Sequence, residues 1–325
     1  MRVAHLPFQP HVFAFGGFEI QALMAIEASR AVGVDAFALN PWDRDASLEV
    51  LHCWGLEVVH AEAVEWAKKS GRRVVISALC SYPTSWWPLK VAGNLLRGHH
   101  QIRARLVQQA DCITVVNEGQ AQYLQTVYRC PKKKLKVVPN VVPSVFQRRE
   151  EVNSGHGVVC VGNICRRKNQ LNLAKAADIA GVNLTLVGSV VPGEEEYADQ
   201  VQTVLSKRSG NRWLRDVRAN SSEMITAYRE AACFALVSRM EQQPISALEA
   251  GTVGLPLLLS DHYFAKYQPF TRACLVPCDN PGKIAAGLTR VLERPEHHCV
   301  PAEAIARFSA RAIGLGYANC YGMEL

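Results

Sequence analysis

The sequence predicts an α/β fold of two Rossmann-like domains, each an open parallel sheet covered by helices on both faces, and three observations point to it. Short β-branched apolar runs alternate with helical stretches along the chain, the pattern of parallel sheets buried on both sides. The alternation occurs twice, on either side of a polar, turn-rich stretch at 143–155. The 325 residues, 49% hydrophobic and 20% charged, suffice for two ordinary cores and are too balanced for a disordered or collagenous chain. Parallel sheets bind ligands beyond the carboxyl ends of their strands, so two such domains facing across a cleft would gather two reactants between them.

The first helix is predicted at 19–30, ending near Gly33. Strands follow at 34–39, 49–52, 73–78, 112–116 and 135–139, each short and mostly apolar. The second half repeats the pattern, with strands at 157–161, 183–187, 233–237 and 255–259 and helices near 170–179, 194–205, 222–231 and 245–250. The domains are therefore read as 1–145 and 157–300, with 146–156 as linker and 301–325 as a helical segment returning toward the first domain. No apolar run reaches the ~18 residues of a membrane span, and the start has no leader pattern, so a cytoplasmic protein is expected.

Eleven cysteines, an odd number without paired spacings, read as reduced thiols rather than a disulfide framework or a zinc site. The basic excess belongs to the first half: residues 1–150 hold 18 Lys and Arg against 12 Asp and Glu, whereas 151–325 hold 18 against 17. Such a face attracts phosphates of any kind, whether in nucleic acid, anionic lipid or a phosphorylated substrate.

Two segments of the second half carry the chemistry. In Glu241-Gln242-Gln243-Pro244-Ile245-Ser246-Ala247-Leu248-Glu249, Pro244 suits the first position of a helix, which leaves the amides of Ile245 and Ser246 free for an anion. The two carboxylates, eight residues apart, can take hydroxyl pairs from different parts of one extended ligand, although Glu249 taken alone reads more readily as a solvated helix residue. The other segment is an apolar strand followed by Gly162-Asn163-Ile164-Cys165-Arg166-Arg167-Lys168. Three consecutive cations at the end of a parallel strand can neutralise a departing diphosphate, or form an ordinary solvated loop.

Together with Val137-Val138-Pro139-Asn140 and Gly16-Gly17-Phe18-Glu19, these segments resemble the retaining family 4 glycosyltransferases, whose GT-B fold consists of two facing Rossmann-like domains. The resemblance covers most of the chain and includes an E-x7-E spacing followed by Glu249-Ala250-Gly251-Thr252-Val253-Gly254-Leu255-Pro256. It implies transfer, with retention, from a nucleotide-diphosphate sugar to a carbohydrate, lipid-linked or small-molecule acceptor, without a metal or other cofactor. On that basis Glu241, Lys168 and Arg167 are the catalytic candidates, with Glu241 on the transferred sugar and the two cations on the diphosphate. Glu249 is expected on the ribose, and Arg166, Asn163, Gly162, Gln243, Pro244, Ile245, Ser246 and Gly188 complete the donor site. Gly16, Gly17 and Phe18 would form an acceptor or phosphate loop. Two departures stand out: Asn163 replaces an arginine common in the family, and Pro244 replaces a glycine, which removes one donor-contact amide.

Trp86, Trp87, Lys90 and Arg97 mix aromatic rings with cations, which suits contact with an anionic membrane or an acceptor sugar. The alternatives are an epimerase on the same fold, for which no acid–base set is evident in the first half, and a catalytically weak sugar-nucleotide-binding homologue. Nucleic acid is disfavoured as a partner, because the cations are not interleaved with a stacking platform.

Overall fold

In the computed structural model, residues 1–12, 16–80, 93, 98–149 and 155–323 are described. The chain forms two units, Met1–Val141 together with Phe308–Leu325, and Val142–Arg307. Each is built on a six-stranded, wholly parallel sheet.

The first sheet comprises β1 (Arg2–Pro7), β2 (Asp35–Ala38), β3 (Val50–Trp54), β4 (Arg73–Ser77), β5 (Cys112–Val115) and β6 (Leu135–Val137), in the order β2-β1-β3-β4-β5-β6. The second comprises β7 (Val158–Val161), β8 (Leu184–Val187), β9 (Arg212–Leu214), β10 (Cys233–Leu236), β11 (Leu257–Ser260) and β12 (Cys274–Val276), in the order β12-β11-β10-β7-β8-β9. Every residue of β3, β5, β7, β10 and β11 is buried, as sheets covered on both faces require. Three strands escape the sequence pattern. β9 and β12 are three residues each, too short to show a period, and in β1 the apolar run is interrupted by Arg2 and His5.

The segment after 301 forms two helices, Ala302–Ala306 in the second unit and Ala310–Tyr321 in the first. The latter lies against the helix Gly17–Arg30 with Ile313, Tyr317 and Ala318 in the shared core. Gly314 makes the close approach feasible, since a Cβ there would run into the carbonyl of Ala28.

That core contains a satisfied polar network. His52, buried within β3, meets Tyr321 Oη at 2.9 Å through Nδ1 and Ser77 Oγ at 2.8 Å through Nε2. Trp54 Nε1 donates to His5 Nδ1 at 2.9 Å. Burial, with the neighbouring charge of Arg30, lowers the His5 pKa to about 3, so this ring stays neutral. We expect Tyr321→Phe to lower the unfolding free energy by about 1–3 kcal/mol, because it leaves a buried imidazole nitrogen without its partner. Urea denaturation of the two proteins checks this.

Candidate functional site

The second sheet reverses its strand order between β7 and β10, which are neighbours without being consecutive. Loops leaving the carboxyl ends of such a pair diverge, and there parallel sheets receive ligands. Here those loops are residues 162–169 and 237–244, which contain the cationic run Arg166–Lys168 and the start of the Glu241–Glu249 segment.

The two loops are tied together. Arg239 N donates to Arg167 O at 2.8 Å. Asn169, buried and in the left-handed region with φ 61°, donates Nδ2 to Val237 O at 3.1 Å and to Cys278 O at 2.7 Å. Gln170, also buried, braces the cationic loop from within by donating to Asn163 O at 3.0 Å and accepting from Cys165 N at 3.4 Å. Replacing Asn169 by alanine removes both bonds and places a Cβ residue at positive φ without a compensating side chain. A loss of about 2–4 kcal/mol is expected in thermal or chemical unfolding, with Asn169→Gly milder by about 1 kcal/mol because glycine accepts that φ.

Glu241 is where the charges converge. Its side chain is 9% exposed and lies 2.7 Å from Lys168 Nζ and 3.1 Å from Arg167 Nη1, which also donates to Met240 O at 2.9 Å. Burial by itself would raise the carboxyl's pKa, but Lys168 and Arg167 more than offset it and hold the group below the usual carboxylate range. Glu241 is therefore ionised at neutral pH, and the trio keeps a net positive charge. Arg167 is half-exposed, so its free edge can meet an incoming anion. Gly162 lies beside the Lys168 stem and Gly188 beside Gly162, with φ of 147° and 146°. A Cβ on Gly188 would strike the Gly162 carbonyl, which allows the ends of β7 and β8 to come this close.

The third cation of the run turns elsewhere. Arg166 accompanies Glu194, with Nε 3.6 Å from Oε2, and its guanidinium lies 5.6 Å over the Tyr197 ring. Asn163 is exposed.

Glu249 lies on the helix Ile245–Val253 at 4% exposure, so it is not a solvated helix carboxylate. Tyr228 Oη donates to its Oε2 at 2.7 Å. Burial pushes its pKa up to about 7, a rise that the tyrosine's hydrogen bond partly restrains. Pro244 is the N-cap of this helix with ψ 119°, one position earlier than expected, because its extended ψ keeps it outside the first turn. The first helical amides are those of Ile245 and Ser246, which by position have no intrahelical acceptor. Gln243 is buried just before them.

Tyr228, Asn169 and Gln170 were not foreseen as parts of this site. A cap residue ahead of the helix Gln170–Ala180 was a usable signal for Asn169, whereas nothing in sequence joins Tyr228 to a glutamate 21 residues away.

In the first unit, Gly16 caps the helix Gly17–Arg30 in an extended conformation, and Glu19 Oε2 accepts from Gly16 N at 2.9 Å. Phe18 packs 5.2 Å from Phe8 and 5.9 Å from Trp54 by ring centroids. Several of this unit's cations are engaged locally: Lys68 pairs with Asp111 at 2.8 Å, Arg103 with Glu57 at 2.7 Å and Arg105 with Glu65 at 2.8 Å. Trp86, Trp87, Lys90 and Arg97 lie outside the described residues.

Comparison with known proteins follows this geometry. A family model described as glycosyl transferases group 1 matches residues 145–307, and one described as glycosyltransferase family 4 matches residues 11–144. No curated protein matches the chain in sequence. Among solved structures, a sucrose-phosphate synthase from Thermosynechococcus elongatus aligns with a TM-score of 0.75 at 16% identity, covering 99% of this chain and 98% of that one. HepE of Anabaena in complex with UDP aligns at 0.73 and 14% identity over 99% of this chain and 100% of its own. A glycosyltransferase from Rickettsia africae aligns at 0.70 and 11% identity over 98% and 97%. At such identities these likenesses concern the fold.

Proposed function

The chain belongs to the group 1 glycosyl transferases and has the GT-B fold, and on that premise we propose that it is a retaining enzyme that takes a sugar from a nucleotide-diphosphate donor held by its second unit. The observation that carries this reading is the convergence of Lys168 and Arg167 on ionised Glu241 at the switch point of the second sheet. The two cations are suited to the charge that builds on a departing diphosphate, so departure needs no metal. Glu241, accepting through both oxygens, is suited to the hydroxyls of the transferred sugar. Ionised Glu249 would accept from the ribose hydroxyls. Retention follows when the acceptor attacks the face the leaving group vacates and its proton passes to a diphosphate oxygen, a course that relies on positioning rather than on a strong protein base.

The acceptor, a carbohydrate, a lipid-linked sugar or a small molecule, is assigned to the first unit by family analogy. No helix among the described residues is long and apolar enough to cross a membrane, and all eleven cysteines are free and buried, which fits a reducing compartment such as the cytoplasm.

Calorimetry with UDP, GDP, ADP and dTDP tests the reading. One of them is expected to bind at millimolar concentration or better, Lys168→Ala is expected to weaken that binding about tenfold or more, and the matching nucleotide sugar is expected to hydrolyse slowly. Uptake of none of the four overturns the assignment.

A further inference from the structure

β1 and β2 are parallel neighbours, so the loops that follow them leave the first sheet at the same end, the carboxyl end where such sheets receive ligands. The loop after β2 carries Trp42, 93% exposed. The other tryptophans of the described residues each have a partner, although Trp66 is also exposed, at 68%. Trp54 is buried and bonded to His5, Trp66 has Lys69 5.7 Å over its ring, and Trp213 has Arg215 3.8 Å over its ring. Trp42 has no ring or cation partner among the described residues.

This exposure does not come from a loose backbone. Trp42 N donates to Asn40 Oδ1, Asp43 N to Asn40 O and Asp45 N to Asp43 Oδ1, each at 3.1 Å. The bonded turn presents the largest apolar side chain to water and flanks it with Asp43, Arg44 and Asp45, all exposed. Val12, 85% exposed, stands on the loop after β1.

An exposed large apolar group beside planar polar groups has a specific complement. The C–H face of a pyranose carries slight positive charge and suits the negative face of an indole, while the ring's rim of vicinal hydroxyls suits carboxylates and guanidinium. An anionic lipid surface suits it poorly, because two carboxylates outnumber the one cation.

We propose that Trp42 is the stacking platform of a saccharide subsite on the first unit, with Asp43 and Asp45 accepting from the ring hydroxyls. The proposal rests on the glycosyltransferase reading and narrows its acceptor to one that presents a pyranose ring.

The test uses the full chain labelled with 15N-tryptophan, whose six indole resonances include one that disappears in Trp42→Phe. Methyl glycosides of glucose, galactose, mannose and N-acetylglucosamine are titrated in. At least one is expected to shift the Trp42 resonance selectively, to bind about tenfold more weakly to Trp42→Ala, and to retain most of its affinity for Trp42→Phe. A Trp42 resonance unmoved by all four, an alanine variant that binds like the parent, or a response only to phosphatidylglycerol vesicles overturns the proposal. Nucleoside diphosphate calorimetry on the same sample separates the two readings. Uptake of a nucleotide with Trp42 silent sinks the subsite alone, whereas no uptake sinks the donor assignment.

Discussion

Glu241→Gln is expected to lower the turnover of sugar transfer by about a hundredfold to a thousandfold, the usual scale for removing one preorganised charge at a reacting centre, while nucleoside diphosphate affinity stays level or tightens. The reason lies in the trio's charge. Glutamine has nearly the shape of glutamate and can still accept a hydrogen bond from Lys168, but it no longer cancels either cation. The ground-state diphosphate then meets two uncompensated positive groups, while the sugar loses the anion that would orient its hydroxyls. The variant should also be less stable without ligand, because Lys168, only 13% exposed, loses its counter-ion. Diphosphate restores an anion to the pair, so the rise in melting temperature on adding it should be larger for Glu241→Gln than for the parent. Steady-state kinetics, calorimetry and thermal melts report the three quantities. Intact turnover with weakened diphosphate binding would mean that Glu241 serves only to hold the cations in place.

The second large effect concerns pH and Glu249. Its carboxyl titrates at about 7 in the fold against an ordinary 4.5. As pH rises from 4.5, the unfolded chain releases this proton before the folded chain does, so unfolding is favoured. Stability is therefore expected to fall between about pH 4.5 and 7, by about 3 kcal/mol from this group, and the loss persists above pH 7. Glu249→Gln should flatten that part of the profile and be more stable than the parent at pH 8. Binding should move the other way. A ribose that donates to the carboxylate favours the ionised form, so the parent's nucleotide affinity should rise through pH 7 relative to that of Glu249→Gln. Urea melts and calorimetry at pH 5, 6, 7 and 8 measure both. Stability profiles that run parallel for parent and variant would show that Glu249 does not titrate in this range.

Much of the site was legible in the chain because its parts are local. The cationic run follows directly on β7, and the two glutamates flank one helix start, so period and spacing placed them at the carboxyl end of a sheet. What was not legible depends on partners remote in sequence. Asn169 is bonded to Cys278 across 109 residues, and Arg166 and Arg167, adjacent in sequence, separate because Glu194 and Glu241 come from different loops. β9 and β12, three residues each, were missed because so short a run has no period, and unlike β6 they are not part of a longer apolar run such as 135–139.

The two glutamates show where the division falls. Local pattern alone determined that carboxylates would stand at 241 and 249, at the head of a helix after an apolar strand. Only the packed structure decided their charge. Both are largely withdrawn from solvent, but Glu241 lies between two cations and is held ionised, whereas Glu249 faces a neutral phenol and is held close to protonation at neutral pH. Residue type sets the group that can ionise, and the charges and solvent that tertiary folding brings to it or removes set its state.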